Sequence, residues 1–350
     1  MLLNFLEKRC LGVDIGVSSI KIVEIAARGT KKRLENYAEF VFSKSLESSE
    51  NGPFGFFGEK TPSVLQALIK KAGMKTRKAA FSIPDFSTFF TNFSLPPMNE
   101  EEVLQAVEFE ARHHIPLPLS EVSFDWRILE KKKTFPGVAL KILLAAVPNK
   151  VLAAYQRLAG LARVELKAME AEVFALIRSS LPKEKSSVPV CLIDIGWQST
   201  TISIVDKGSL KKSYSFDISS QGITDALASG LKISRSEAEK IKKARGLDPE
   251  SKESAKIIAS CLDGLIFEAQ KICSSFYQSE GRMVSDIILA GGTSSLFGLP
   301  EYLSAALKKE VHIANPFSSL SFPAPLKDRL KEIGPSFSIA VGAGLIGLES

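Results

Sequence analysis

The sequence predicts an α/β fold of two lobes facing one cleft, with a small α+β module set into the first lobe. Three observations carry this expectation. Two similar motifs lie about half the chain apart: Leu11-Gly12-Val13-Asp14-Ile15-Gly16-Val17-Ser18-Ser19-Ile20-Lys21 and Cys191-Leu192-Ile193-Asp194-Ile195-Gly196-Trp197-Gln198-Ser199-Thr200-Thr201. Each reads as an apolar strand, Asp-x-Gly, hydroxyl residues and a second strand, hence a β-hairpin with a polar tip. Further on, the apolar run Asp286-Ile287-Ile288-Leu289-Ala290 ends in Gly291-Gly292-Thr293 ahead of a helix from about Leu299. Such strand-turn-helix units place ligands at strand carboxyl ends in open α/β sheets. Finally, 350 residues exceed one typical core.

The tips have the chemistry of a phosphate clamp. Gly16 and Gly196 are expected to let the backbone approach a ligand and to adopt positive φ. Amides of a tight turn form an anion-binding concavity. Ser18, Ser19, Ser199, Thr200 and Thr201 add hydroxyl donors, and Lys21 a point charge for a terminal phosphate. Asp14 and Asp194 would repel phosphate directly, but they suit Mg²⁺ held through its waters. Either hairpin alone would read as an ordinary Asp-x-Gly turn. The repeat, followed by Gly-Gly-Thr, favours two tips gripping one polyphosphate from both sides.

Between the hairpins, Phe81-Ser82-Ile83-Pro84 ends a strand and Phe89 to Met98 follows. Asn99 reads as a helix N-cap with Glu102 completing a capping box. Val103, Val107 and Ala111 continue a helical stripe that stops at Ile115-Pro116-Leu117-Pro118. Val122–Leu129 alternates like a strand, as does Leu140 to Val147 in part. Beyond the second hairpin, Ile233 to Gly246 is a charged helix with Glu239 and Lys242 on one face. By itself it reads as a solvated, salt-bridged helix. Ser338 to Leu348 is a helix of small residues suited to close contact.

The order hairpin, hairpin, apolar-Gly-Gly-Thr resembles the actin/sugar-kinase/chaperone ATPase superfamily. The resemblance implies an actin-like (ribonuclease H-like) two-lobed ATPase fold with an inserted α+β subdomain, binding ATP or ADP with Mg²⁺. By it, Gly16, Val17, Ser18, Ser19 and Lys21, with Gly196, Trp197, Gln198, Ser199 and Thr200, form the phosphate motifs. Gly291, Gly292 and Thr293 form the adenosine motif, Glu239 accepts from ribose hydroxyls, and Lys242 reaches the base. Asp14 and Asp194 serve the metal, and 338–348 is the interlobe hinge helix. Glu170 is implied to orient the attacking water, at a helix beginning under the γ-phosphate, with Glu172 as its alternate. On the residues alone, both carboxylates simply suit a helix N-terminus. Trp197-Gln198 stands where the superfamily often carries another acidic residue, so rapid hydrolysis is not expected, whereas nucleotide binding is.

The series Leu95-Pro96-Pro97-Met98, acidic helix, Ile115 to Trp126 resembles the PilM family of type IV pilus assembly proteins, from about residue 10 onward. That implies an ATP-binding actin-like component of the inner-membrane assembly platform, with slow or absent hydrolysis. It would be cytoplasmic and peripheral to the inner membrane through its partners. The implied partner is the N-terminal cytoplasmic peptide of PilN, in a groove between the first lobe and the insert, with 86–93 and 109–117 as lining regions. Pilus motor ATPases, other platform proteins and a second copy are further candidates. The FtsA cell-division family shares the general plan, so a filament protein is the alternative, although FtsA's C-terminal membrane helix is not expected here. A small-molecule kinase is disfavoured because no Asp-rich acceptor motif lies between the hairpins.

The expected division is 1–83, 161–185 and 335–350 for lobe 1 (1A), 84–160 for the insert (1C-type), 186–222 and 261–334 for lobe 2 (2A), and 223–260 for subdomain 2B. Charge is modest: 45 Lys and Arg against 39 Asp and Glu give +6, spread rather than clustered, so no nucleic-acid partner is expected. Lys131-Lys132-Lys133 reads as a strand-connecting turn. The cysteines, Cys10, Cys191, Cys261 and Cys273, lack metal spacing and are expected free. His113, His114 and His312 form no site. No signal peptide or membrane span is expected, and Met1 to Leu6 would anchor only weakly. Ser43 to Thr61 reads as a loop whose Phe54, Phe56 and Phe57 either fold onto lobe 1 or dock a partner.

Overall fold

The computed structural model describes residues 7–42, 58, 60–133, 138–181 and 187–350. Met1–Leu6 and the Phe54–Phe57 loop lie outside these residues. Two five-stranded sheets share one topology. In the first, β1 (Lys8–Ile15), β2 (Ser19–Arg28) and β3 (Lys31–Val41) form an antiparallel meander, and β4 (Lys78–Ile83) and β8 (Glu165–Ala171) extend it in parallel on the other side of β1. The second repeats this with β9 (Val190–Ile195), β10 (Thr200–Asp206), β11 (Ser209–Phe216), β12 (Asp286–Ala290) and β13 (Glu310–Ile313). The central strands read as near-continuous apolar runs because both of their faces are covered, by helices in lobe 1 and by helices and the insert in lobe 2.

In lobe 1, α1 (Thr61–Lys71) and α3 (Asn149–Leu161) cover one face, where Leu65, Ile69, Val151 and Tyr155 pack on Leu11, Val13 and Phe81. Thus α3 belongs to the lobe 1 core, whereas the expected insert extended to residue 160. The opposite face is covered by α9 (Lys327–Gly347), which also crosses α4 (Glu172–Ser180). Small residues permit this three-way crossing: a β-carbon on Gly12 would lie 1.9 Å from the carbonyl oxygen of Ala340, and one on Gly342 1.9 Å from that of Ala175.

Lobe 2 packs α5 (Ser220–Leu231), α7 (Lys252–Glu280) and α8 (Leu299–Leu307) on its sheet, with α6 (Arg235–Arg245) against α5 and α7. Helix α6 starts at a capping box: Ser234 Oγ accepts from Glu237 N–H and the Glu237 carboxylate accepts from Ser234 N–H. Cys10 and Cys191 are buried in β1 and β9, and all four cysteines are free.

The insert is a sheet of β5 (Phe89–Met98), β6 (Val122–Lys133) and β7 (Val138–Pro148) in the order β5-β7-β6, backed by α2 (Val103–His114) through Val103, Val107 and Ala111. Two local expectations need correction. Asn99 precedes a 3-10 turn rather than capping the α-helix, which begins at Val103; Glu102 still accepts from Asn99 N–H at 3.2 Å. Lys131 to Lys133 end β6, opposite Leu140 to Val138, and do not form the turn.

The insert also meets lobe 2. Edge strand β5 lies beside edge strand β11, where Asn92 Nδ2 donates to the Lys211 carbonyl. Lys211 Nζ pairs with Glu130 at 2.9 Å, its side chain only 3% exposed, and Lys141 pairs with Glu280. Leu143 packs with Val190, Leu192 and Leu210 of lobe 2.

Candidate nucleotide cleft

The duplicated hairpins have the same register to the residue. Ile15 pairs with Ile20 and Asp14 with Lys21; Ile195 pairs with Thr200 and Asp194 with Thr201. Each four-residue tip closes with the same bond, Gly16 N–H to Ser19 O at 2.9 Å and Gly196 N–H to Ser199 O at 3.0 Å. The reason for the glycines differs from the expectation. Neither Gly16 nor Gly196 is at positive φ; a β-carbon on Gly196 would lie 2.9 Å from Ser199 O, so close approach within the tip selects glycine there. Positive φ is needed at Gly291, at +83°.

Both tips open onto one cavity of about 630 Å³ between the lobes. It is lined by Asp14, Gly16, Val17, Ser18, Ser19 and Lys21 from the first hairpin, and by Asp194, Gly196, Trp197, Gln198 and Ser199 from the second. Gly291, Gly292, Thr293, Glu239 and Lys242 complete the wall, together with Glu172 and the cleft-facing half of α9, including Arg329, Glu332 and Ile339. The turn after β12 is fixed to α9: Gly291 N–H donates to the carbonyl of Pro335 at 3.0 Å.

Two sequence-predicted residues lie elsewhere. Glu170 is in β8, not in a helix, and its carboxylate pairs with Arg178 outside the cavity wall. The strand continues to Ala171, so Glu172 is the first residue of α4, and it lines the cavity. Thr200 is buried at the start of β10, while its neighbour Thr201 faces the cavity, because successive strand residues point to opposite faces.

Glu239 and Lys242 lie on the cavity wall, but their partners differ from the implied roles. Lys242 Nζ donates to Ser220 O at 2.9 Å, and to Ser220 Oγ and Thr224 Oγ1 at 2.8 Å; it pairs with Glu239 at 2.7 Å. Its three protons are thereby engaged within the protein. Burial lowers its pKa, opposed by Glu239. For Glu239, burial works against the charge, but hydrogen bonds from Lys242 and Thr224 prevail and hold its pKa below the ordinary value. The pair is a strut joining α6 to α5.

The floor of the cleft is acidic. Asp14 accepts from Ser82 Oγ at 3.2 Å. Its pKa is raised by burial, with Lys21 and Ser82 opposing. Burial also lifts Asp194 to about 6; Asp14 adds to the shift and Lys21 opposes it. Glu172 is raised well above its ordinary value by burial, then by the nearby charges of Asp85, Asp14 and Asp194. Asp85, just beyond β4, is a further buried carboxylate that no sequence motif marks. Its N–H donates to Glu172 Oε2 at 3.3 Å, and its Oδ1 accepts from Val173 N–H at 3.1 Å. It therefore ties the root of the insert to the first turn of α4, satisfying a free helix donor. Burial lifts Asp85 to about 7, with Val173 N–H opposing and Asp194 adding. Asp14 and Asp194 thus share one lysine, Lys21, whose Nζ is 2.8 Å from Ser19 Oγ and 3.7 Å from the Glu39 carboxylate.

Among the described residues, no helix is long and apolar enough to cross a membrane. The chain resembles the PilM–PilN type IV pilus biogenesis complex with a TM-score of 0.82 and 22% identity, over 97% of this chain and 99% of that one. Ethanolamine utilization protein EutJ from Carboxydothermus hydrogenoformans gives 0.58 and 16% over 97% and 89%, and MreB5 of Spiroplasma citri bound to AMPPNP 0.53 and 11% over 97% and 96%. These similarities, with the two matching sheets, show the two-lobed actin-like fold. Among curated proteins, cell division protein FtsA of Rhizobium meliloti (strain 1021) is 26% identical over 231 residues, 59% of this chain and 50% of FtsA. FtsA of Bacillus subtilis (strain 168) is 26% identical over 159 residues, 39% and 36%. The chain thus spans about half the length, or less, of these curated relatives. The family described as type IV pilus assembly protein PilM matches residues 12–347, and the chain belongs to that family.

Proposed function

We propose that the cleft binds ATP or ADP with Mg²⁺ and that the chain is a nucleotide-binding adaptor of the type IV pilus inner-membrane assembly platform. One observation carries the nucleotide reading: two tips of identical register open onto one cavity beside the Gly291-Gly292-Thr293 turn. The similar MreB5 structures hold AMPPNP and ADP. The donor set fits the ligand. Tip backbones and the hydroxyls of Ser18, Ser19 and Ser199 suit phosphate oxygens, and Lys21 supplies positive charge. Asp14 and Asp194 would hold Mg²⁺ through its waters, with Glu172 beside them, since oxygen donors suit this hard cation. The metal would supply positive charge beside Asp14, Asp194 and Glu172.

Glu172, rather than Glu170, is the carboxylate in the cleft to orient a water. With Trp197 in place of a further acidic residue, hydrolysis is slow or absent, and nucleotide occupancy rather than turnover is the working variable. The proposed partner is the N-terminal cytoplasmic peptide of PilN, between lobe 1 and the insert. Phe109, 62% exposed, offers an apolar anchor in one of the two expected regions; Phe86, in the other, is 49% exposed and lines the interlobe cavity. Such a peptide orders on binding. The chain would then sit in the cytoplasm, peripheral to the inner membrane through this partner, with pilus motor ATPases, other platform proteins and a second copy as further contacts.

Isothermal titration of ATP with and without Mg²⁺ tests the cleft. Binding that strengthens with Mg²⁺, and weakens at least ~10-fold in Asp194→Ala, supports the reading; equal affinity in that variant removes Asp194 from the site. Anisotropy of a labelled PilN N-terminal peptide tests the partner, and no binding would remove it. Pelleting with ATP tests the FtsA-like alternative, which predicts filaments.

A further inference from the structure

Lys21 does not face the cleft unopposed. The pairing registers place Asp14 of β1 directly beside Lys21 of β2, and Glu39 of β3 directly on its other side. Directly paired residues of antiparallel strands share a face. Asp14, Lys21 and Glu39 therefore form one row across the sheet, and all three line the cavity. Lys21 Nζ stands 3.7 Å from the Glu39 carboxylate and 2.8 Å from Ser19 Oγ. Glu39 is an acid on a wall suited to an anion, and the phosphate clamp makes no use of it.

The place of Glu39 is built into the sheet. Phe42 N–H donates to Ser18 O at 2.9 Å, so the end of β3 is fastened to the first tip just beyond Glu39. Strand pairing holds the Glu39 backbone beside that of Lys21. The Lys21 side chain is only 14% exposed and that of Glu39 36%, so charge between them is screened less than on an open surface. The second hairpin differs at this row. Thr201 stands where Lys21 does, and its neighbour across β11 is Ser215, a neutral pair joined at 3.0 Å. Between the two hairpins, the cation and its counter-charge belong to the first.

We propose that Glu39 is a counterweight to Lys21: it competes with the nucleotide's phosphate for the lysine charge and keeps the hold on the nucleotide below what Lys21 alone would give. The proposal rests on the nucleotide reading of the cleft. A phosphate oxygen arriving at Lys21 Nζ replaces the Glu39 carboxylate as its anionic partner and meets the charge of that carboxylate nearby. Both effects oppose binding. Where hydrolysis is slow, the cleft is emptied by release of intact nucleotide, and a standing internal competitor eases that release. Glu39 is thus a positioning residue that acts through Lys21, not a ligand to the nucleotide.

Glu39→Gln tests this, because it keeps the size of the side chain and removes its charge. ATP affinities of the unmodified protein, Glu39→Gln and Glu39→Asp are measured by calorimetry with Mg²⁺, with circular dichroism to compare their folds. Glu39→Gln should bind ATP about threefold or more tightly than the unmodified protein. A residue of merely structural value would weaken binding when replaced. Glu39→Asp keeps the charge and should gain less than Glu39→Gln. A gain under about threefold in Glu39→Gln, or a loss, overturns the proposal. An equal or larger gain in Glu39→Asp also overturns it, since the effect would then not be one of charge. If neither the unmodified protein nor the variants bind ATP, both the proposal and the proposed cleft fail. If the unmodified protein binds and Glu39→Gln binds no more tightly, only the proposal does.

Discussion

Gly291 stands against the carboxylate of Asp194: a β-carbon at position 291 would lie 2.5 Å from Asp194 Oδ1 and 2.4 Å from the carbonyl oxygen of Ile195. Gly291 also needs φ of +83°. A side chain there meets both steric and backbone penalties. Gly291→Ala is expected to cost on the order of 1–3 kcal/mol and to displace Asp194. Thermal denaturation should show a lower Tm, and calorimetry a nucleotide affinity reduced at least ~10-fold. A variant that matches the unmodified protein in both would show that the turn can yield without disturbing the acid.

Asp85 makes a pH prediction. Its folded pKa is about 7 against an ordinary value of 3.8. The folded state therefore keeps a proton that the unfolded chain releases, so the stability from this group is full below about pH 4 and is lost as pH rises through 7. Asp85→Asn removes the charge and keeps an acceptor for Val173 N–H. It should be the more stable form at pH 8, by on the order of 2 kcal/mol, with the advantage gone by about pH 4. Urea unfolding at both pH values checks this; a destabilised Asp85→Asn at pH 8 would show that the carboxylate is stabilised as an anion.

Glu172 and Glu170 should separate cleanly. Glu172 faces the cavity, while Glu170 is tied to Arg178. In single-turnover phosphate release, Glu172→Gln should slow any hydrolysis by ~100-fold or more. Glu170→Gln should leave the rate unchanged and lower the Tm. The reverse pattern would restore Glu170 as the water-orienting group.

The contact between insert and lobe 2 depends on a buried cation. Lys211 has Glu130 as its partner, and β5 lies against β11 beside it. Glu130→Lys places two like charges together. Amide exchange in 89–98 and 209–216 should accelerate, with exchange in the lobe 1 sheet little changed. Equal protection would mean that apolar packing around Leu143 alone holds the contact.

The hairpins were legible because each is a local pattern whose register follows from its own turn. The turn at Gly291 was legible for the same reason. What escaped depended on distant partners. Asp85 reveals its role only when it meets Glu172, 87 residues away. The difference between Glu170 and Glu172 turned on where a strand hands over to a helix, a boundary that two acidic residues in one short segment cannot mark. Lys242 reads as a solvated charge until Ser220 and Thr224 fold beneath it. Helix α3 follows the insert without a break in sequence, yet its apolar stripe finds its complement in lobe 1.

The threading of α9 has a consequence for how the molecule is made. The first four strands of the lobe 1 sheet are laid down early, yet their face bearing Cys10, Val23, Ile25 and Ala80 is closed by residues 327–347. At about 5–20 residues per second, a ribosome leaves that apolar face waiting on the order of tens of seconds for its cover. The nascent chain is thus an aggregation hazard through most of its synthesis, and a holdase bound to 8–83 would be its natural companion until the final helix slots home.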